Sequence, residues 1–459
     1  MTMTIRLFNS HSRKKEVFKP LSPDKVTIYV CGPTVYGPSH IGNARPAVVF
    51  DVLADLLRVS FKQVIYARNI TDIDDRIINA AKEEKEDISK ITMKYTEQYN
   101  HDMKALNVSF PDEEPYATAH INEMIEFIND LLIKKFAYVS DDHVLFDISS
   151  YNSYGMLSRR NPEEMIAGSR VEVQSYKKNP LDFVLWKPSI ENEIGWDSPW
   201  GFGRPGWHLE CSTMIFKLFG KTIDIHGGGE DLTFPHHENE IAQSACRNDG
   251  HPLANYWVHN GLVQMDKTKM SKSLGNVLLV KDLVKKVPGE VIRFSLLSTH
   301  YRQPLIWNQR LIDQSNTVLN NMYSLLAETK DLDINEKNID KEFLESLYDD
   351  LNTPKAISIL HSLFKRLKKS PEDSSLRALL IGSANLIGIL KNDPIEWFES
   401  KNKDVDLEMV NNLIEKRRMA REEKDYEKGD LIRDQLLNMG IFIEDTQEGP
   451  VWKKISIND

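Results

Sequence analysis

Hydrophobic and polar positions follow the order of an α/β protein along the first 110 residues. The run "KVTIYV" (25–30) is a short β-rich segment, and "QVIYARN" (63–69) is a second one. Between them, "AVVFDVLADLLRV" (47–59) places apolar residues at 48, 49, 52, 53, 56 and 57, the stripe of an amphipathic helix. Strand, helix and strand in this order predict a right-handed parallel crossover, with ligand chemistry at the carboxyl ends of the strands.

The pattern becomes irregular from 111 to about 200, where helix-like "INEMIEFINDLLIKK" and short strands such as "HVLFDI" mix with polar runs. The α/β pattern then returns. We read "CSTMIFKLF" as a helix that Cys211 opens, "TIDIH" as a strand, and the segment from Pro235 as another helix. In "YWVHNGLVQMD", Asn260-Gly261 is a hairpin signal. These elements predict one α/β domain that an insertion splits in two.

Strand patterns disappear beyond about residue 277. Segments such as "SLRALLIGSANLIGIL" predict a helical bundle to about 400, and the tail reads as one charged helix followed by a hairpin in "IFIEDTQEGPVWKK". The predicted fold is therefore α/β, a doubly wound parallel sheet split by an insertion, then a helical bundle and a small C-terminal α+β region. The predicted parts are the first half of the α/β domain (1–110), the insertion (111–200), the second half of the α/β domain (201–276), the helical region (277–400) and the C-terminal region (401–459).

Composition narrows the class of protein. The chain has 459 residues, 41% of them hydrophobic, which is enough for several domains with sizeable cores. It has no run of about 18 apolar residues and no signal-peptide pattern, so we expect a cytoplasmic protein without membrane association. The net charge of −10 argues against a general polyanion binder, although a local basic surface remains compatible with it.

A cluster of metal-ligating residue types stands in "FPHHENEIAQSAC" (234–246). Pro235 suits a first helical turn, from which His236 and Glu240 stand four apart on one face. Cys31 ends the first strand and Cys211 lies in the second half of the same domain, so both thiols could meet above the carboxyl edge of the sheet. Such a set favours zinc, because thiolates are soft ligands. The alternative is two buried thiols beside a solvated helix start.

Two further stretches point to phosphate. In "CGPTVYGPSHIGNARP" (31–46), His40 precedes the first helix and Asn43 is a candidate N-cap, and a helix N-terminus at the end of a strand attracts anions. "MDKTKMSKSLGN" (265–276) places Lys267, Lys269 and Lys272 in a loop that can fold over a polyphosphate. The alternatives are a helix cap with an incidental histidine and a solvated charged loop.

The ordered set of motifs resembles one family. "HIGN" (40–43) is similar to the HIGH signature, and "KMSKS" (269–273) matches the second signature, of class I aminoacyl-tRNA synthetases. "CGPTVYG", "GWHLECS", "DIHGGGEDLTFPHHENEIAQ" and "DDLNTPKA" together resemble the cysteinyl-tRNA synthetases, and the likeness continues to "RDQLLNMGIFIEDT". The resemblance implies a Rossmann-type catalytic domain and a C-terminal anticodon-binding region.

The resemblance also implies an activity and its ligands. It implies ATP-dependent ligation of L-cysteine to tRNA(Cys) through a cysteinyl-adenylate, with Mg2+ accompanying ATP, one zinc ion per chain and a monomeric enzyme. The implied zinc ligands are Cys31, Cys211, His236 and Glu240. The implied catalytic and ATP-binding residues are His40, Asn43, Lys269 and Lys272. The implied amino-acid pocket contains Thr71, Trp207, His226 and Asp231.

Some positions depart from the family pattern or stay ambiguous. Asn43 replaces the second histidine of HIGH, although its amide can still donate a hydrogen bond. His237 and Glu238 flank the ligand pair and are expected to support it or to lie at the surface. The tail arginines could contact tRNA or could form i,i+4 pairs on a solvated helix: Arg417, Arg418, Arg421 and Arg433.

Two other functions share parts of this pattern. One is a paralogous ligase that joins activated cysteine to an amino sugar, for which a C-terminal region of this size would be unnecessary. The other is a catalytically silent binding protein built on the same scaffold. The intact "KMSKS" and all four candidate ligands argue against the silent protein.

Overall fold

A computed structural model shows how the chain folds. The structure describes residues 4–160, 174–190, 193–265, 268–269, 277–330, 332, 338–401, 407–423, 425–438, 441–446 and 449–454. Within these residues, contacts divide the chain into two compact units, one of residues 1–322 and 331–390 and one of residues 323–330 and 391–459. No helix among the described residues is long and apolar enough to cross a membrane.

The strands and helices of both units are numbered in chain order. The strands are β1 Arg6–Asn9, β2 Lys14–Val17, β3 Lys25–Val30, β4 Gln63–Arg68, β5 Ala137–Ser140, β6 His143–Phe146, β7 Phe183–Pro188, β8 Gly203–Pro205, β9 Ile223–Gly229, β10 Ala254–Asn260, β11 Val263–Met265, β12 Thr268–Lys269, β13 Leu305–Trp307, β14 Ile441–Thr446 and β15 Gly449–Lys454. The helices are α1 Ile41–Ser60, α2 Asp75–Glu84, α3 Ile88–Ala105, α4 Ile121–Ile133, α5 Trp207–Phe219, α6 Glu238–Arg247, α7 Val280–Leu283, α8 Gly289–Leu297, α9 Gln309–Glu328, α10 Lys341–Tyr348, α11 Thr353–Lys369, α12 Ser374–Leu386, α13 Pro394–Lys401, α14 Leu407–Glu422 and α15 Tyr426–Asn438.

A four-stranded parallel sheet organises the first unit. Its strand order is β10-β9-β3-β4, so the first half of the domain contributes β3 and β4 and the second half contributes β9 and β10. Helix α1 makes the crossover from β3 to β4, and α6 makes that from β9 to β10. The two halves join in the centre, where Tyr29 of β3 pairs with His226 of β9. The predicted split α/β domain is confirmed in this respect.

Between the two halves lies a separate antiparallel sheet. Its strand order is β5-β6-β7-β8, and its apolar face joins a core that includes Phe146, Phe183 and Trp186. Helix α4 packs against this sheet and also against α5 and α6 of the second half. The irregular pattern of the sequence therefore belongs to an organised insertion rather than to loops alone.

The predicted hairpin at Asn260-Gly261 is wrong. Strand β10 pairs in parallel with β9, whereas β11 belongs to a second sheet in which it pairs in parallel with β13. The buried guanidinium of Arg45 explains the change of direction, because it donates hydrogen bonds to the carbonyls of both Gly261 and Leu262, at 2.7 and 3.0 Å. Strand β13 was also missing from the sequence-based prediction, which placed no strand in this region.

Three predicted helix boundaries also differ. Helix α5 begins at Trp207, so Cys211 lies in its second turn instead of opening it. Pro235 lies in an irregular turn before α6, after a residue with extended backbone, Phe234 (φ −141°). The charged tail forms two helices, α14 and α15, because Asp425 ends the first with a backbone bond to Ala420 and accepts the Lys428 N–H at the start of the second.

The second unit contains the end of the chain. Helices α14 and α15 pack on the predicted hairpin, which is confirmed as β14 and β15. Its small core is apolar throughout and consists of Val410, Leu413, Ile432, Leu436, Ile441 and Ile443. On the exposed surface, Arg418 pairs with Glu415 and Glu422, so the solvated-helix interpretation holds for this arginine, while Arg417 is buried.

Candidate active site and metal centre

The candidate site lies at the carboxyl edge of the parallel sheet. Cys31 follows β3 directly, and its backbone N–H donates to the carbonyl of Gly227 in β9, at 3.2 Å. The next residue has to be glycine, because a Cβ at Gly32 would lie 1.6 Å from the carbonyl oxygen of Asn69. Strand β3 thus ends in a tight backbone contact that points the Cys31 thiol at the second half of the domain.

Four side chains from four elements converge here. The donor atoms of Cys31, Cys211, His236 and Glu240 all lie within 4.8 Å of one another. The Sγ atoms of Cys31 and Cys211 are 3.5 Å apart, and His236 Nε2 lies 3.8 Å from Cys211 Sγ and 2.7 Å from Glu240 Oε1. Zinc bonds of about 2.0–2.3 Å place tetrahedral ligand atoms roughly 3.3–3.8 Å apart, so the thiol and imidazole spacings fit such an ion.

A second possible ligand set overlaps the first. Cys31 and Glu240 also share a 4.8 Å neighbourhood with His226 and His237. His226 Nε2 lies 2.5 Å from Glu240 Oε2, while its Nδ1 is buried without a hydrogen-bond partner among the described residues. The first set contains two thiols and the second only one, and because soft thiolates favour zinc, the first set suits that ion better.

The electrostatics of the four donors favour a cation. Burial raises the pKa of Cys31, and its contact with Cys211 raises it further. Burial opposes ionisation of Cys211 as well, but hydrogen bonds from Cys31 and His236 outweigh it and lower the pKa of this thiol to about 6. Despite burial, His236 and His226 hold the pKa of Glu240 well below its ordinary value. One thiolate and one carboxylate therefore face the same point.

His236 is held by its neighbours on both sides. Burial alone would lower its pKa, but Glu240 and Cys211 raise it to about 10, so a metal ion bound at Nε2 would have to displace a proton from the ring. Its other nitrogen, Nδ1, lies 2.9 Å from Nδ1 of His208. Trp207 stacks on the same ring, with centroids 4.0 Å apart and planes 16° from parallel. Outer contacts of this kind fix the orientation of a ligating imidazole.

An open cavity of about 570 Å3 adjoins the candidate metal centre. Trp207 and His208 form its wall on the side of the cluster, and Asp74, Phe234 and Lys177 lie among its other lining residues. Trp207 therefore contacts both the His236 ring and the open space. Such a position suits a residue that would lie beside a small bound substrate.

The structure brings Thr71 and His226 to the centre, whereas Asp231 lies at its exposed margin. Thr71 is buried and donates a hydrogen bond to Glu210 Oε2 at 3.0 Å, one residue before Cys211. His226 contacts Glu240, as described above. The Asp231 carboxylate instead closes over Gly229, where a Cβ would lie 2.6 Å from its Oδ1.

Several residues at the centre were missed from the sequence. Asn69 accepts the Gly32 N–H at 2.9 Å, and its Oδ1 lies 3.7 Å from Cys211 Sγ. Glu210 and His208 are the others. The motif "GWHLECS" could have indicated both residues. A helix beginning at Trp207 places His208 and Cys211 almost one turn apart on one face, and Glu210 directly precedes Cys211.

His237 and Glu238 are both buried, so a surface position for either is wrong. His237 Nε2 lies 3.3 Å from Cys31 Sγ. The carboxylate of Glu238 accepts backbone N–H bonds from Gly155, Leu157 and Ser158, at 3.0, 3.3 and 2.8 Å. Glu238 therefore ties the insertion to the first turn of α6.

The first nucleotide signature lies at the start of α1. His40, not Asn43, is the N-cap, and Asn43 occupies the third helical position, where its Oδ1 accepts the His40 N–H at 3.1 Å. The predicted N-cap role of Asn43 is therefore wrong; Asn43 instead supports the N-cap residue, His40, from the third helical position. The backbone of Lys269 lies in β12, paired with Gln264 of β11.

The remainder of the second signature, including Lys272, lies outside the described residues, as does Lys267. Arg45 of α1 binds the backbone on both sides of the chain that leads into β11 and β13. In addition to Gly261 and Leu262, its guanidinium donates to the carbonyls of His300 and Gln303, at 3.3 and 2.7 Å. Helix α1 is therefore fixed to the segment that leads into β11.

Comparison with known proteins shows which families the chain matches. The family described as "tRNA synthetases class I (C) catalytic domain" matches residues 17–317, a DALR domain matches 342–392, and a "Cysteinyl-tRNA ligase anticodon binding domain" matches 408–452. The cysteine–tRNA ligase of Parvibaculum lavamentivorans is 52% identical over 99% of this chain and 98% of its own length. That of Maricaulis maris is 51% identical over 98% and 99%.

Solved structures show the same fold at low sequence identity. Mycobacterium tuberculosis methionyl-tRNA synthetase, in complex with methionyl-adenylate, matches with a TM-score of 0.58 at 14% identity, over 79% of this chain and 89% of its own. Agrobacterium radiobacter LeuRS, in a ternary complex with tRNA, matches with a TM-score of 0.57 at 12% identity, over 81% and 83%. Because relatives about half identical to it extend along nearly its whole length, the chain belongs to the cysteinyl-tRNA synthetase family of class I tRNA synthetases.

Proposed function

We propose that this protein ligates L-cysteine to tRNA(Cys) at the expense of ATP, and that it selects cysteine through a zinc ion held by four side chains. These ligands are Cys31, Cys211, His236 and Glu240. The observation that carries the proposal is the convergence of their donor atoms within 4.8 Å, at the sheet edge where β3 leads into α1. Membership of the family supports the overall reaction, and the donor set supports the metal.

The metal explains how cysteine would be told from serine. Shape and apolar contact separate near-isosteres by only about a hundredfold. A zinc ion in this set would supply a soft Lewis acid, which lowers the pKa of a thiol that coordinates it and has less affinity for a hydroxyl. We therefore propose that the enzyme needs no editing site.

The residues around the metal would orient the amino acid. Trp207 would form one wall beside the substrate, because it contacts both the His236 ring and the open cavity. His226 would hold the Glu240 carboxylate in place, and Thr71 would do the same for the Glu210 carboxylate through their hydrogen bond. Asp231 would act from the margin of the site, in the loop after β9.

The reaction would proceed in two steps. The carboxylate of cysteine attacks the α-phosphorus of ATP, whose bond to the bridging oxygen breaks, so that cysteinyl-adenylate and pyrophosphate form. A ribose hydroxyl of the terminal adenosine of the tRNA then attacks the acyl carbon, and AMP leaves. Neither step requires a protein nucleophile, so catalysis would depend on positioning and charge stabilisation.

The phosphates would bind at the start of α1. Backbone N–H groups at a helix N-terminus attract anions, and His40 caps this one. Asn43 keeps the His40 backbone in its capping geometry through the 3.1 Å bond. We assign Lys269 and Lys272 to charge stabilisation of the polyphosphate, which ATP brings together with Mg2+.

The C-terminal parts would bind tRNA. We propose that residues 277–400 contact the stem of the tRNA and that 401–459 bind its anticodon, as the family match over 408–452 suggests. A ligase that acts on an amino sugar would not need an anticodon-binding region. Because the whole protein is acidic, part of the tRNA affinity should fall with added salt as local cations meet phosphates.

Three measurements on one preparation test the proposal. Metal analysis should give one zinc ion per chain, and pyrophosphate exchange into ATP should depend on cysteine and not on serine. Transfer of labelled cysteine should then require tRNA(Cys). Exchange without charging would point to the amino-sugar ligase, and the absence of both would point to a silent binding protein.

A further inference from the structure

A line of hydrogen bonds leads away from Cys31 through His237, a residue outside the first ligand set. His237 Nε2 lies 3.3 Å from Cys31 Sγ, and His237 Nδ1 lies 2.8 Å from His259 Nε2. His259 Nδ1 in turn lies 2.8 Å from Ser10 Oγ. We call Ser10, His259 and His237 the histidine chain; all three residues are buried.

The backbone holds each member of the histidine chain in place. His237 immediately precedes α6, and His259 lies in β10 of the parallel sheet. Ser10 follows β1, and its N–H donates to the carbonyl of Trp257 at 2.7 Å, two residues before His259 in the same strand. The three side chains therefore come from three separate segments whose positions are set by secondary structure.

The polarity of the histidine chain depends on the state of Cys31. A contact of 2.8 Å between two ring nitrogens requires one donor and one acceptor, and a hydroxyl can serve as either. A thiolate has no proton to donate, so if Cys31 binds the proposed metal ion as a thiolate, His237 has to donate from Nε2. It then accepts at Nδ1 from His259 Nε2–H, and His259 accepts at Nδ1 from the hydroxyl of Ser10.

We propose that His237 is a positioning residue, which directs an N–H hydrogen bond at the thiolate of Cys31 and so holds it as a metal ligand. His259 and Ser10 fix the tautomer of His237 that makes this bond possible. This inference rests on the metal role proposed above. Outer-shell partners of metal ligands typically contribute 10- to 100-fold to metal affinity, and we expect the same scale here.

A competing arrangement makes His237 itself a ligand. In the second ligand set, His237 Nε2 would bind the ion with His226, Cys31 and Glu240. That arrangement leaves the thiol of Cys211 unused, although it lies 3.5 Å from Cys31 Sγ. The two arrangements predict different spectra for a cobalt-substituted protein, because the number of thiolate and imidazole ligands differs.

The test uses the full-length protein with cobalt in place of zinc. Two variants interrupt the histidine chain without touching His237, namely His259→Phe and Ser10→Ala. Their matched controls are His251→Phe, at an exposed position, and Ser12→Ala, whose hydroxyl has only a 3.5 Å contact with Asn9 O. The readouts are the sulfur-to-cobalt charge-transfer band, the visible ligand-field bands, zinc affinity by chelator competition, and equilibrium binding of ATP.

We expect the charge-transfer band of His259→Phe to move to lower energy, because the sulfur loses an N–H donor, while the ligand-field bands keep their pattern. Zinc affinity should fall by about 10- to 100-fold. Ser10→Ala should change the energy of the charge-transfer band and the zinc affinity in the same direction by smaller amounts. Neither control variant should change either quantity. ATP binding should stay as in the unchanged protein.

Two results would contradict the proposed role of the histidine chain. One is an unchanged band and zinc affinity in His259→Phe, or in Ser10→Ala if the first variant does not fold. The other is a new ligand-field pattern, which would make His237 a ligand. If the unchanged protein shows no thiolate band at all, the zinc role in the proposed function fails first, so the two failures are distinguishable.

Discussion

Trp207 and His236 form a face-to-face pair, with ring centroids 4.0 Å apart and planes 16° from parallel. The two residues lie on either side of the boundary between the candidate metal centre and the open cavity. Stacked aromatic pairs contribute about 0.5–1.5 kcal/mol beyond the area they bury. The pair therefore couples the orientation of the His236 ring, a proposed metal ligand, to the wall of the open cavity.

We expect Trp207→Ala to raise the KM for cysteine by roughly 2- to 12-fold, which corresponds to losing a stack of that strength. The KM for ATP should stay the same, because the nucleotide signature lies at the start of α1. Pyrophosphate exchange at varied cysteine and varied ATP measures both constants. Trp207→Phe keeps an aromatic wall and should remain close to the unchanged protein; equal rises in both constants would contradict a role specific to cysteine.

Glu240→Gln should reduce zinc retention and cysteine binding together. The carboxylate faces His236 through Oε1 and His226 through Oε2, and an amide can present oxygen to only one of them. We expect less than one zinc per chain after dialysis and a rise in the KM for cysteine of at least about 10-fold. Isothermal titration with ATP should show no change.

The control for this variant is Glu345→Gln, which alters an exposed glutamate near Lys341. It should bind zinc, cysteine and ATP as before. If Glu240→Gln loses ATP and cysteine affinity in equal measure, the cause is collapse of the fold and not removal of a ligand.

Lys272→Ala should slow the activation of cysteine by ATP without weakening the binding of cysteine. Removal of one group that stabilises charge in a transition state typically lowers kcat by about 100- to 1000-fold. We expect a loss of this size in pyrophosphate exchange, with zinc content and cysteine KM unchanged. Lys285→Ala, at an exposed pair with Asp282, should leave kcat as it was. A normal kcat for Lys272→Ala would remove this lysine from the mechanism.

Asp51→Asn should destabilise the first unit. Its carboxylate pairs at 2.6 Å with Arg293, and both side chains are almost fully buried. Breaking a buried ion pair from one side costs about 3–5 kcal/mol, because the remaining charge loses its counter-ion in a buried site. Urea denaturation followed by tryptophan fluorescence should show a clearly lower midpoint.

The surface pair of Arg58 with Asp112 gives the comparison for this change. Because both side chains are partly exposed, Arg58→Ala should alter the free energy of unfolding by about 1 kcal/mol or less. Equal changes in the free energy of unfolding for the two variants would mean that burial of the Asp51–Arg293 pair does not determine its contribution to stability.

The sequence predicted the parts of the site that follow from short-range periodicity. The strand before Cys31 was predicted correctly, because a short β-rich run is a local pattern. The pairing of His236 with Glu240 was also predicted, although His236 lies in the irregular turn before α6 and not in a continuous helix. The position of Cys211 was predicted less well. It lies in the second turn of α5, and its distance from Cys31 depends on how that helix packs against the sheet.

Long-range contacts account for most of the errors. Asn260-Gly261 has the local preferences of a hairpin, yet Arg45, more than 200 residues earlier, binds the carbonyls that follow and directs the chain into another sheet. Neither His259 nor Ser10 could be predicted from its local sequence, because only the fold places His259 against His237 and Ser10 against His259. Pairings across such separations leave no local periodicity in a single sequence.

The distance along the chain between Cys31 and Glu240 has a consequence for biosynthesis. Their side chains meet at 3.5 Å, yet 209 positions separate them in the sequence. At a synthesis rate of about 5–20 residues per second, the ribosome needs roughly 10–40 seconds to reach the last ligand after making the first. Throughout that interval the nascent chain would carry the Cys31 thiol without the complete set of proposed metal ligands.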